Sequence, residues 1–71
     1  MKLNDFLADN GLSHTQFGER VGVSQAAISR YANGLRIPKP DVIERIEAET
    51  DGKVTAADHY AAYHAARQAA A

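Results

Sequence analysis

Helix-terminating residues interrupt this chain of 71 residues at short intervals. Glycine follows asparagine or aspartate at three of these breaks and stands alone at another, as is typical of helix C-termini. The breaks are Asn10-Gly11, Gly22, Asn33-Gly34 and Asp51-Gly52. Pro38 and Pro40 prevent a regular helix from running through the loop at residues 35–39. The chain can therefore form only short elements before residue 53.

Apolar residues between the breaks recur three or four positions apart, the spacing of amphipathic helices. Leu3, Phe6 and Leu7 show it in the first segment, and Phe17 and Val21 in the second. Capping patterns of the Ser-x-x-Gln and Thr-x-x-Asp types precede two of the segments. The sequence predicts an all-α, compact five-helix domain, with helices at 2–9, 14–21, 25–32, from residue 40 to the break at 51–52, and at 56–70.

The larger apolar residues are concentrated before residue 47. Only Val54, Tyr60 and Tyr63 follow, in a segment dominated by alanine. Alanine has the highest intrinsic helix propensity, so this segment is also expected to be helical. We expect a core domain at residues 1–52 and an Ala-rich C-terminal helix within residues 53–71.

Size and composition exclude several classes of protein. A chain of 71 residues leaves little room for both a core and a deep substrate pocket, so we expect no enzyme and no small-molecule ligand. The chain has no cysteine, and His59 and His64 do not share a helix face, so no metal or cofactor is expected. With no apolar run of about 20 residues and no signal-peptide pattern, we expect a cytoplasmic protein without a membrane span.

Charge is unevenly distributed along the chain. The formal net charge of −1 combines a basic middle segment with an acidic end. Residues 14–40 carry four cations against one acid, and residues 41–71 carry three cations against six acids. One basic face is sufficient for contact with phosphates, because exposed charges act only over about 8–10 Å. Ordinary scatter of surface charge would give the same totals.

Residues 14–32 carry the pattern of two short helices joined by a tight turn, the helix-turn-helix unit. Such helices lie close together, which accounts for Gly18 on the inner side of the second helix. Gly22 supplies the left-handed conformation of the turn. The apolar residues placed to fill the angle between the helices are Phe17, Val21, Val23 and Ile28.

Over approximately residues 3–50, the chain resembles the Cro/C1-type (XRE) helix-turn-helix family of small phage and bacterial transcriptional regulators. The most characteristic part is the tract Gly22-Val23-Ser24-Gln25, Ile28-Ser29-Arg30 and Asn33-Gly34. The resemblance implies a lambda-repressor-like DNA-binding domain that binds duplex DNA, usually as a dimer on a palindromic operator. His14 stands where the family often has glutamine, and Gly18 where it often has alanine.

The resemblance implies that a recognition helix at residues 25–33 lies in the major groove. It places base-reading residues at Gln25, Ala26, Ser29 and Arg30. Glutamine can pair with adenine, arginine with guanine and alanine with the thymine methyl group, whereas serine discriminates poorly. An ordinary solvent-exposed helix face would also carry Gln25 and Ser29, and Arg30 has rival roles in a phosphate contact or an intramolecular ion pair.

Contacts with phosphates would position the domain without reading sequence. The start of the second helix offers backbone N–H groups to a phosphate, and His14 there is expected also to orient Gln25. The loop after the third helix adds further cations, although Lys39 is equally an ordinary exposed lysine. The expected phosphate contacts are His14, Thr15, Ser24, Asn33, Arg36 and Lys39.

The C-terminal helix has its own stripe of side chains. Tyr60 and Tyr63 share one face, and tyrosine is enriched at interfaces. Together with Val54 they form a candidate homodimer face. The alternative is that this helix folds back onto the first helix and completes the core of its own chain.

The sequence therefore favours a sequence-specific transcriptional regulator that binds double-stranded DNA, a Cro-like repressor. The alternative keeps the fold but makes the chain an antitoxin-like or other protein-interaction module. Its partner surface would then be the acidic segment 41–58 and the tyrosine-bearing helix. Loss of DNA binding when Gln25 or Arg30 is replaced by alanine would distinguish the two.

Overall fold

The computed structural model describes residues 1–69. Within this range the chain forms five α-helices and no strand: α1 (Leu3–Asp9), α2 (His14–Val21), α3 (Gln25–Ala32), α4 (Pro40–Glu49) and α5 (Ala56–Ala69). The predicted all-α, five-helix fold is confirmed. The first helix begins one residue later than predicted, and residue 70, the predicted end of the fifth, lies outside the described residues. None of the described helices is long and apolar enough to cross a membrane.

Local hydrogen bonds fix where α2 and α3 begin. The Ser13 hydroxyl accepts from the Gln16 backbone N–H at 3.0 Å, and the Gln16 side chain accepts from the Ser13 N–H at 2.9 Å. This reciprocal capping box satisfies backbone N–H groups that a helix start leaves unpaired. The Ser24 hydroxyl caps α3 by accepting from the Ala27 N–H at 3.1 Å. The predicted caps of both helices are thus confirmed.

Left-handed glycines follow α2 and α3. The φ angle is 76° at Gly22 and 71° at Gly34, values that favour glycine over other residues. After Gly34, the Leu35 N–H donates to the Arg30 carbonyl at 2.8 Å and closes the helix end in a Schellman arrangement. Gly22 therefore leads the chain sharply from α2 into α3, and Gly34 leads it from α3 into the loop at residues 35–39.

The hydrophobic core lies where α2 meets α1, α3 and α4. Phe17 of α2, Ile28 of α3 and Ile46 of α4 are each 0% exposed. Phe6 of α1 meets Phe17 edge to face, with ring centroids 6.1 Å apart. The other buried apolar residues are Leu3, Leu7, Val21, Tyr31, Val42 and Val54. Removing these side chains from water holds the short helices together.

The C-terminal helix α5 packs against the end of α3. Gly34 lies so close to α5 that a Cβ atom there would overlap with the Ala62 carbonyl oxygen. Arg67 donates to the Gly34 carbonyl at 2.7 Å, and its guanidinium lies 3.7 Å from the centre of the Tyr63 ring. The helix therefore folds back onto its own chain, with its closest approach at Gly34.

Val54, just before α5, belongs to the core. The Thr50 hydroxyl at the end of α4 donates to the Ile46 carbonyl at 2.8 Å and accepts from the Val54 N–H at 3.1 Å. These hydrogen bonds hold the chain against α4, and Val54 is 0% exposed. Our prediction that Val54 lies on a dimer face is therefore wrong, because this side chain is covered by its own domain.

His59 of α5 is a buried titratable side chain. It is 3% exposed, and its Nε2 atom has no hydrogen-bond partner among residues 1–69. Burial lowers the pKa of His59 from its ordinary value of 6.5, and the negative charge of Asp58 offsets part of this effect. The ring is therefore neutral in the folded domain at neutral pH.

We expect the folded domain to lose stability as the pH falls from about 7.5 to about 5.5. Below pH 6.5 the unfolded chain protonates His59 more fully than the folded domain does, so the free energy of unfolding decreases as the pH falls. Urea unfolding at the two pH values measures this. His59→Leu should weaken the pH dependence, whereas His64→Leu, at an exposed residue of the same helix, should preserve it. An unchanged pH dependence in His59→Leu would contradict this account.

Candidate nucleic-acid interface

One side of α3 faces away from the core. Ile28 and Tyr31 point inward and are buried. At the helical spacing of about 100° per residue, the residues that we predicted to read bases lie away from these two. They are Gln25, Ala26 and Arg30, which are exposed, and Ser29, which is half-buried. The fold thus brings all four predicted base-reading residues to one accessible surface.

The turn that leads into α3 is held very close to α2. A Cβ atom added to Gly18 would lie 2.6 Å from the Val23 carbonyl oxygen, nearer than real Cβ atoms approach such groups. The Val23 N–H in turn donates to the Gly18 carbonyl at 2.9 Å. The predicted inner position of Gly18 is confirmed, with the backbone of the turn as its nearest neighbour. This close approach fixes where α3 starts relative to α2.

A side-chain hydrogen bond joins the start of α2 to the exposed side of α3. The Nδ1 atom of His14 lies 2.6 Å from the Ser29 hydroxyl. We expected His14 to orient Gln25, so the partner is a different residue, one helical turn further along α3. Histidine also binds metals, but residues 1–69 contain no cluster of three metal-ligating side chains.

Three cations around α3 have no ion-pair partner within residues 1–69, namely Arg30, Arg36 and Lys39. By contrast, Arg20 lies 3.6 Å from Glu49, and Arg45 lies 3.2 Å from Asp41. The rival role of Arg30 in an intramolecular ion pair is therefore not found in the described part of the chain. The unpaired cations of the basic segment therefore lie at the end of α3 and in the loop that follows.

The predicted phosphate contacts form two groups around α3. The first group lies at the starts of α2 and α3 and contains His14, Thr15 and Ser24. The second follows α3 and contains Asn33, Arg36 and Lys39. All six are exposed except His14, which is half-buried by its contact with Ser29. Their contact with phosphates stays a prediction.

The two tyrosines of the candidate dimer face have different surroundings. Tyr60 is 56% exposed. Tyr63 is half-buried, and the Arg67 guanidinium covers its ring. With Val54 in the core, Tyr60 is the large exposed side chain that remains of the predicted face.

Two hydrogen bonds around α3 were not predicted from the sequence. The bond between His14 and Ser29 joins residues 15 positions apart, and that between Arg67 and Gly34 joins residues 33 positions apart. Both depend on how the helices pack, which helical spacing and capping patterns do not specify. The one available signal was histidine at position 14, where the related family often has glutamine.

Comparison with known protein families gives a match to a helix-turn-helix family over residues 4–55. The chain belongs to the Cro/C1-type (XRE) helix-turn-helix family, so the predicted resemblance is confirmed. Members of this family are DNA-binding regulators of transcription. A search of curated proteins and a search of solved structures each gave no match. The matched range extends through α4 to residue 55 and includes the buried Val54.

Proposed function

We propose that this chain is a sequence-specific transcription regulator of the Cro-like repressor type, which reads the major groove with residues 25–33. The observation that carries the proposal is the accessible side of α3, where Gln25, Ser29 and Arg30 lie away from the buried Ile28. In helix-turn-helix proteins the second helix of the unit enters the major groove. Membership of a DNA-binding family supports the same reading.

Each base-reading residue has a distinct chemistry. Gln25 would form a pair of hydrogen bonds with adenine, and Arg30 would do so with N7 and O6 of guanine. Ala26 would contact the methyl group of a thymine. Ser29 has one hydroxyl and would exchange a single hydrogen bond with a base edge. Arg30 is available for this role because it has no ion-pair partner within residues 1–69.

Phosphate contacts would fix the register of α3 in the groove. His14 and Thr15 begin α2, where backbone N–H groups favour an anion, and Ser24 caps α3. Beyond the other end of α3, the DNA phosphates would be contacted by Asn33, Arg36 and Lys39. Such contacts add affinity on any sequence, whereas the choice of sequence comes from the bases.

A homodimer on a palindromic operator completes the proposal. A two-fold axis between two copies would present their α3 helices to successive major grooves, about 34–36 Å apart. Tyr60, which is 56% exposed on α5, is the candidate contact between the copies. Repression would follow where the bound dimer excludes RNA polymerase from a promoter.

The test is a titration of the purified protein against DNA from immediately upstream of its own gene and against scrambled DNA of equal length, at physiological salt. We expect a preference of about 10³-fold or more for the upstream DNA, as in specific binding. Protection of a symmetric site would support the dimer. If neither this DNA nor any sequence from a randomised duplex library is preferred, the proposal fails and a protein-interaction role becomes the better account.

Arg30→Ala should lower affinity for the preferred site by about 5- to 150-fold, because a specific arginine–guanine contact contributes about 1–3 kcal/mol. Affinity for scrambled DNA should change little. Arg20→Ala is the matched control, because it also removes one positive charge. Arg20 lies in the last turn of α2 and is paired with Glu49 of α4. An equal loss on both DNAs would instead make Arg30 a phosphate contact.

A further inference from the structure

The hydrogen bond between His14 and Ser29 occupies part of the proposed reading surface. The Ser29 hydroxyl lies 2.6 Å from Nδ1 of His14 and is half-buried, while its neighbours Gln25 and Arg30 are exposed. A serine hydroxyl has one proton to donate and lone pairs to accept with. If it donates that proton to His14, only its lone pairs are left for a base.

The surroundings of His14 favour one direction for this bond. A neutral imidazole carries a proton on one ring nitrogen and accepts on the other. His14 is the first residue of α2, where a phosphate is expected, and a phosphate requires a donor. Nε2 is then the protonated nitrogen, and Nδ1 is the acceptor that faces Ser29.

We propose that Nδ1 of His14 accepts a hydrogen bond from the Ser29 hydroxyl, which leaves Ser29 as a hydrogen-bond acceptor toward DNA. The groups that donate in the major groove are the amino groups of adenine and cytosine, whereas guanine and the carbonyl of thymine accept. Ser29 therefore selects adenine or cytosine on the strand that it faces. The inference rests on the proposed function and adds a base preference that serine alone does not have.

The first experiment selects preferred sequences from a randomised duplex library at pH about 8. The unaltered protein and Ser29→Ala are compared, and the base pair at which Ser29→Ala loses its preference is the pair that Ser29 reads. At that pair we expect the unaltered protein to prefer adenine or cytosine over guanine or thymine by about tenfold on the facing strand, the effect of one hydrogen bond.

Two variants at the start of α2 test the part played by His14. His14→Phe keeps a ring but removes the acceptor, so the Ser29 hydroxyl can again donate or accept. The preference at that pair should fall to within about twofold, while preferences at other pairs keep their order. Thr15→Ala is the control, because it alters a neighbouring expected phosphate contact and should leave the preference at that pair unchanged.

A second measurement removes the hydrogen-bond donor from the DNA and leaves His14 unaltered. The selected adenine or cytosine is replaced by its analogue without the amino group, purine or pyrimidin-2-one. We expect about tenfold weaker binding by the unaltered protein and no change for Ser29→Ala.

Several results would overturn the inference. A preference for guanine or thymine at the Ser29 pair would reverse the assigned direction of the hydrogen bond. Full retention of the preference in His14→Phe, or no altered pair in Ser29→Ala, would make the contact a purely structural link between α2 and α3. If the unaltered protein selects no sequence at all, the proposed function itself fails, and this inference fails with it.

Discussion

Gly34→Ala is expected to destabilise the domain by about 3 kcal/mol or more and to separate α5 from the end of α3. The φ angle of Gly34 is 71°, which costs an alanine about 1–2 kcal/mol. The added Cβ would also overlap with the Ala62 carbonyl oxygen and lie 3.1 Å from the Ala66 side chain. Because the first of these obstacles is backbone, α5 must move as a unit.

Gly11→Ala separates the cost of the left-handed conformation from the cost of the overlap with α5. Gly11 has a similar φ angle of 61°, but a Cβ there would meet nothing within 4 Å. This variant should lose only the cost of the left-handed conformation, about 1 kcal/mol. Urea unfolding of both variants measures the difference. Equal losses in the two would mean that the close approach of α5 to Gly34 contributes nothing to stability.

Phe17→Ala is expected to cost about 3–5 kcal/mol, which is most of the stability of a domain of this size. Phe17 is 0% exposed and packs edge to face on Phe6, so its removal leaves a cavity where α1, α2 and α3 meet. Circular dichroism should show thermal unfolding at a much lower temperature, and DNA binding should weaken as the folded fraction falls.

Two further variants define the scale of the Phe17 effect. Phe17→Leu keeps most of the apolar volume and should remain folded, with a loss of about 1–2 kcal/mol. Tyr60→Ala removes an aromatic ring that is 56% exposed and should change the stability of the monomer by about 0.5 kcal/mol or less. If Phe17→Ala behaves like Tyr60→Ala, α2 is not the centre of the core.

The parts of the fold that the sequence predicts are those fixed by neighbouring residues. Ser13 and Gln16 cap each other within one helical turn, and Gly22 and Gly34 mark helix ends through their own conformational freedom. The accessible side of α3 follows from the burial of Ile28 and from helical periodicity. Helix positions and the accessible surface could therefore be read from local patterns.

Contacts between segments that are distant in the sequence could not be predicted from local patterns. Val54 has the same apolar side chain whether its own core or a second copy covers it, and the spacing of nearby residues does not show which of the two does. The partner of His14 depends on the relative placement of α2 and α3, which brings its ring to Ser29. Such contacts are determined by tertiary packing, which the spacing of residues along one helix does not specify.

The pairing of Arg20 with Glu49 has a consequence for how salt affects DNA binding. Duplex DNA carries a layer of condensed counterions, and each protein cation that contacts a phosphate displaces about one of them. Arg20 lies 3.6 Å from Glu49, an acid that competes with phosphate for its guanidinium, so it should displace fewer counterions than an unpaired arginine. The dependence of DNA binding on salt should therefore come mainly from Arg30, Arg36 and Lys39, which are unpaired within residues 1–69, and Arg20→Ala should leave it nearly unchanged.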